Sequence, residues 1–353
     1  MQTSTLPKAY SQALKGFLSL VIVGTHLRDF LTASEAVPLW LSLSSLLTPL
    51  ALGLYFFFSG FGLMTQMKMK EERLPDVQQE ERWRGWLPRR LWGLLKPFLF
   101  FFVLSFCFEY VSEGLNTLSW DSVGSKLMSA IYTSSYGVLR YPPTAWFLVE
   151  LMALYVLFFV SFRWIRSKRV GLLILTLLIG AFIFVIGRLD FPTFWLRYPF
   201  VFVLGAYYAY AEDKVYRNLM RFLPVVVISL IPLGWWYVKG TQGLTSLDPT
   251  PWTQAIMFFL ATNVLPLLVV VLSKRFGLTD FFMRKTTGWW RKALLFLGDI
   301  SLEIYLLHIS FVYLFRGPTI YIHSTWGYIL VVYACTLLGA YLLMRYCKRL
   351  VRA

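Results

Sequence analysis

"LKGFLSLVIVGTHLRDFL", residues 14–31, decides how the rest of the chain is read. It is apolar enough to begin a helix across lipid, yet Thr25, His26, Arg28 and Asp29 fall inside it. Ionisable groups within a membrane helix are costly unless they face the bundle interior or water. The stretch therefore reads as a span that lines an interior rather than one that faces lipid.

The rest of the chain supports a membrane setting. Of 353 residues, 58% are hydrophobic and 15% charged, and the mean hydropathy is +0.61. A soluble domain could not hide that much apolar surface. The net charge of +16 would suggest nucleic acid for a soluble chain; here basic loops on one side of a membrane explain it, and no nucleic-acid partner is expected. Cys107, Cys335 and Cys347 sit in or beside apolar runs, which argues against a disulfide framework. "TASEA", residues 32–36, follows the first segment, but His26, Arg28 and Asp29 interrupt its apolar part, against a cleaved leader. No metal site is expected.

A span needs roughly 20 mostly apolar residues. Such segments lie near 13–31, 43–66, 91–111, 143–163, 169–188, 192–211, 219–238, 252–273, 293–315 and 325–345. The expected fold class is all-α: a polytopic integral membrane bundle of about ten transmembrane helices forming one domain over 1–353. With both termini cytoplasmic, the inner segments hold 27 of the 34 Lys and Arg, the asymmetry of the positive-inside rule. The connection 67–90 is then a charged cytoplasmic loop with an amphipathic surface stretch, and 112–142 an extracytoplasmic loop.

The polar groups within spans are the functional candidates: His26 and Asp29 in span 1, Glu150 in span 4, Arg197 in span 6, Asn263 in span 8, and Glu303 and His308 in span 9. Lys15 and His26 share a stripe, because eleven steps of about 100° return to nearly the same face, about 16 Å further along the axis. A cation at the inner rim below a mid-membrane imidazole suits a long donor with an anionic head and a reactive end. Imidazole is the usual side chain for moving a proton near neutral pH. Asp29, three residues on, can orient that ring or pair with Arg28 at the rim. Glu150, near the same depth, is the second candidate for orienting it. His308 is catalytic or ties spans 9 and 10 together; the apolar company of Leu306 and Leu307 favours the tie.

Four motifs then carry a family resemblance. They are "KGFLSLVIVGTH" (15–26), "YFFFSGFGLM" (55–64), "RRLWGLLKPF" (89–98) and "LGDISLEIYLLH" (297–308), with "AWFLVEL" and "RYPFVFVLG" between them. In order and spacing they resemble the acyltransferase-3 family of membrane acyltransferases. The resemblance implies transfer of an acyl group, often acetyl, from cytoplasmic acyl-CoA to a hydroxyl of a cell-surface carbohydrate or lipid-linked glycan. It implies His26 as the catalytic histidine, Lys15 as its motif partner, and Arg89 and Arg90 near the CoA phosphates. Acyl-CoA is then a donor substrate, with no tightly bound cofactor. The setting it implies is the bacterial cytoplasmic membrane, and any onward transfer would need a separate extracytoplasmic protein. Two positions depart from the family pattern: Lys15 stands where arginine is more frequent, which removes a bidentate phosphate grip, and Gly93 stands where a second arginine is usual.

The chemistry requires a base for the acceptor hydroxyl and donors for the oxyanion. His26 can be the base as a neutral ring; Arg197, Asn263 or Tyr305 could donate to the oxyanion. A transporter or flippase of a polysaccharide or lipid-linked sugar is the alternative, although no repeated halves are visible in the sequence.

Overall fold

The structure is a computed structural model that describes residues 6–32, 35–73, 81, 83–113, 145–189, 191, 194–241, 259–283 and 288–352. Among them there is no β-strand, only one isolated bridge between Arg316 and Tyr321. The helices are α1 (Lys8–Asp29), α2 (Leu39–Arg73), α3 (Trp86–Glu113), α4 (Ala145–Arg163), α5 (Lys168–Arg188), α6 (Phe194–Arg197), α7 (Pro199–Tyr210), α8 (Glu212–Thr241), α9 (Leu265–Arg275), α10 (Leu278–Met283), α11 (Trp289–Asp299), α12 (Ser301–Leu314) and α13 (Thr325–Arg352). A π-helical turn, Leu260–Val264, precedes α9.

Among the described residues four helices are long and apolar enough to cross a membrane: Leu39–Arg73, Trp146–Arg163, Lys168–Arg188 and Thr325–Cys347. The pair α11 and α12 makes a fifth if a 76° bend between them is taken as one broken span. On α5, Leu173, Leu177 and Phe184 are each at least 60% exposed, while Leu172, Leu175 and Ile179 are buried. A helix apolar on both its inner and outer faces belongs in lipid.

Where they are described, the segments expected to be spans are largely helical, and three details of the helices differ from the expected boundaries. The charged connection expected over 67–90 is helical at both ends: α2 continues to Arg73 and α3 starts at Trp86. At about 1.5 Å per residue, α2 is longer than the roughly 30 Å hydrocarbon core, so its polar last turns run out of the apolar layer. Span 6 is broken at Tyr198, where Pro199 begins a new helix; proline has no N–H for the preceding turn and suits a first helical position. Span 9 is broken at Ile300. Most of the loop expected over 112–142 lies outside the described residues, as does 252–258 of span 8.

Glycines set how closely the helices meet. A Cβ at Gly298 would overlap the Gln12 carbonyl of α1, and one at Gly16 would collide with the Leu294 carbonyl of α11. Gly60 on α2 and Gly205 on α7 meet in the same way, each against the other helix's backbone. Small residues that let backbones touch are the usual means of packing helices in lipid, where no hydrophobic force draws them together. Side chains add cross-ties to α1. The Tyr333 hydroxyl of α13 donates to the Leu20 carbonyl (3.0 Å), and Thr25 hydrogen-bonds Thr48 of α2.

At the end of the bundle near Asp29, a latch joins two connections. One Glu35 oxygen accepts from Arg316 (2.6 Å) and the Thr325 hydroxyl (2.7 Å); the other accepts from the Thr32 amide (2.8 Å). The Arg316 guanidinium also lies over Tyr328, 4.5 Å from its centroid. The Thr325 hydroxyl, then the Thr32 amide and Arg316, hold the Glu35 carboxyl down at about 2.

Candidate active site

The site begins on α1. The Lys15 ammonium lies 5.9 Å from the Phe58 ring centroid, and the Lys15 carbonyl accepts from the Tyr55 hydroxyl (2.8 Å). Three turns further along the same continuous helix stands His26, 34% of its side chain open. Eleven residues of one helix place it and Lys15 on one stripe.

The breaks in span 9 bring α12 alongside α1. The His26 and His308 rings stand 5.1 Å apart, centroid to centroid, tilted by 37°. His308 is fully buried. Its Nδ1 lies 2.8 Å from the Tyr305 carbonyl and 3.1 Å from that of Ile304. Carbonyls only accept, so Nδ1 carries the proton, and Nε2 of the neutral ring holds a lone pair. That Nε2 has no hydrogen-bond partner among the described residues. In this tautomer Nε2 of His308 can accept a proton, and a second imidazole stands beside it.

The other predicted residues divide. Tyr305 joins the pair: its ring is 5.8 Å from His308 and 4.9 Å from Phe147. Glu150 is fully buried, with neither oxygen hydrogen-bonded among the described residues, and lies within electrostatic reach of Tyr305. Asp29 approaches His26 Nδ1 only to 3.8 Å and is 56% exposed, beyond hydrogen-bond reach. Asn263 turns its amide to the backbone, donating to Phe259 O (3.1 Å), Arg197 O (3.3 Å) and Thr262 Oγ1 (2.9 Å). That satisfies the irregular π-turn and fastens it to the end of α6. The Arg197 carbonyl is one of those acceptors, so these two residues tie helices to each other.

The two arginines before span 3 point to different tasks. Arg89 donates from Nε to Gly85 O (2.8 Å) and from Nη2 to Arg84 O (3.1 Å). It thereby closes the turn in which Gly85 takes φ +63°, a conformation that glycine adopts without strain. Arg90 instead lies over Trp86, 5.8 Å from the ring centroid. With Lys70, Gln66 and Trp83 it lines a cleft of about 170 Å³ at the end of α2.

The acyltransferase-3 family profile, an acyltransferase domain, matches residues 8–345. The chain belongs to the acyltransferase-3 family. No curated protein and no solved structure matches it. Membership and the apolar helices make this a multi-pass membrane protein of an acyltransferase family. The contact between His26 and His308 is a feature that the sequence did not supply. Two of only three histidines lie within predicted spans, but nothing in the spacing said that spans 1 and 9 touch.

Proposed function

We propose that this acyltransferase-3 protein moves an acyl group, acetyl in the reading we favour, from cytoplasmic acyl-CoA to a hydroxyl of a cell-surface carbohydrate or lipid-linked glycan. The observation that carries the proposal is the His26–His308 pair, with Lys15 on the same stripe of α1 as His26. In this reading ten spans cross a bacterial cytoplasmic membrane with both termini inside. Lys15 and Arg90 meet the donor's phosphates, and a separate extracytoplasmic protein completes any onward transfer.

The reaction then runs in two proton steps. Neutral His26 takes the proton of the acceptor hydroxyl as its oxygen attacks the thioester carbonyl. Charge builds on that carbonyl oxygen, where a preorganised donor contributes most; Tyr305, whose ring lies 5.8 Å from His308, supplies the hydroxyl donor in this reading. The tetrahedral species collapses, the C–S bond breaks, and His26 passes its proton to the departing CoA sulfur, which leaves as the thiol and returns the ring to its neutral state. His308 contributes a vacant lone pair beside the ring that becomes cationic. Glu150 supplies a buried carboxyl beside Tyr305, and Asp29 at the open end acts on His26 through space.

A transporter of lipid-linked sugar is the second reading, favoured by the 76° break between α11 and α12, since discontinuous helices are a feature of transporters. Transfer from radiolabelled acyl-CoA by the purified protein separates the two. His26→Gln keeps a hydrogen-bonding amide but cannot take up a proton; it should cost about 10²–10⁴-fold in transfer, as for a lost general base. Parent-like transfer by that variant would move the base to His308 or Glu150.

A further inference from the structure

Between α3, α12 and α13 runs a groove of about 470 Å³ that no step of acyl transfer uses. Phe100 and Leu104 form one wall, Leu307 and Phe311 the floor, and Leu342 the other wall. Gly339 keeps it open. A Cβ there would stand 3.3 Å from Leu307 Cδ1 and 3.4 Å from Phe311 Cε2. Glycine inside a helix costs roughly 0.5–1 kcal/mol against alanine, so its presence at this point needs a reason, and the groove supplies one. The wall residue Leu342 is 57% exposed, so the groove opens sideways to the bilayer.

One end of the groove is charged. Arg345 lines it, its guanidinium 5.5 Å from the Tyr341 centroid. Among the described residues no carboxylate pairs with it. Lys96 of α3 lies within electrostatic reach of the neighbouring Cys347. Glu303 shares that neighbourhood but is buried, 8% exposed, whereas Arg345 is exposed. Along α13, Arg345 is twenty residues from Thr325, about 30 Å by helix rise, which equals the thickness of the hydrocarbon layer. The cation therefore sits at the headgroup level of the leaflet opposite Thr325, with an apolar channel running from it toward the bilayer centre.

We propose that this groove is a binding site for one anionic glycerophospholipid, with its phosphate on Arg345 and an acyl chain laid over Leu307 and Phe311. A soluble anion would leave the apolar length empty. A zwitterionic lipid brings the same phosphate with its own cation beside it, which offsets the attraction of the guanidinium at a low-dielectric boundary, where an ion pair is worth more than in water. Because Leu307 and Phe311 flank His308 on α12, the bound chain braces the helix that carries the second imidazole. The site stands on the membrane setting alone and does not depend on the acyl-transfer reading.

The test is lipid retention measured by native mass spectrometry on protein from phosphatidylcholine nanodiscs containing a minority of phosphatidylglycerol. The parent should retain phosphatidylglycerol in excess of its share. Arg345→Gln should lower that retention by about fivefold, the worth of one juxtamembrane cation, and Arg345→Lys should restore most of it. Gly339→Leu, which fills the groove and leaves the charge, should abolish retention of both lipids at this site. Retention of the two lipids in proportion to their supply, or unchanged phosphatidylglycerol retention in Arg345→Gln, would overturn the proposal. So would displacement of the lipid by excess inorganic phosphate, which would mark a simple anion site. If Gly339→Leu proves unfolded by thermal denaturation, Arg345→Gln against Arg345→Lys decides alone.

Discussion

Gly298→Ala tests whether the contact between α1 and α11 sets the geometry of the histidine pair. The added methyl would overlap the Gln12 carbonyl and stand 2.8 Å from Gln12 Cγ, where ordinary contact is 3.4–4 Å. The obstacle is backbone, which cannot swing aside, so the helices must part by about 1 Å, an error that costs about 100-fold when reacting groups are held in position. Overpacking of this kind destabilises by about 1–3 kcal/mol. Gly180→Ala on α5 is the control, because a Cβ there meets nothing within 4 Å; it should be neutral or gain roughly 0.5–1 kcal/mol. Thermal unfolding in detergent reads the stability, and transfer from radiolabelled acyl-CoA reads the site. The expected order is loss of both in Gly298→Ala and loss of neither in Gly180→Ala. If Gly298→Ala unfolds and transfers like the parent, the close approach of α1 to α11 does not position the site and the reasoning fails.

Three further outcomes follow from the structure. Lys15→Ala and Arg90→Ala should weaken donor binding in a titration with CoA, whereas Arg89→Ala should weaken it less, because Arg89 is already committed to Gly85 and Arg84; equal losses in all three would contradict this division. Glu35, held near 2 against an ordinary 4.5, stabilises the fold fully above about pH 4.5 and loses that contribution as pH falls toward 2, so Glu35→Gln should flatten the unfolding-temperature profile across that window, and an unchanged profile would remove the latch. A cysteine introduced between 114 and 142 should react with an impermeant reagent from outside intact cells and one between 74 and 80 should not, as the charge asymmetry requires; labelling of both from one side would refute the ten-span orientation.

What the sequence determined by itself was what composition and local periodicity carry. Long apolar runs specify helices in lipid, because only a helix satisfies its own backbone there, and the four motifs pointed to the family that the whole-chain match then established. The Lys15–His26 stripe was legible because it lies on one helix, where 3.6-residue geometry fixes relative position. The tertiary structure decided what depends on contacts between distant segments. It set His308 against His26, 282 residues away. It bent span 9 at Ile300 and broke span 6 before Pro199, and it assigned Arg89 to its own turn and Arg90 to a cleft. Hydropathy could not supply these, because lipid and protein interior are almost equally apolar. Which faces meet is set by where glycines let backbones touch and where buried polar groups find partners.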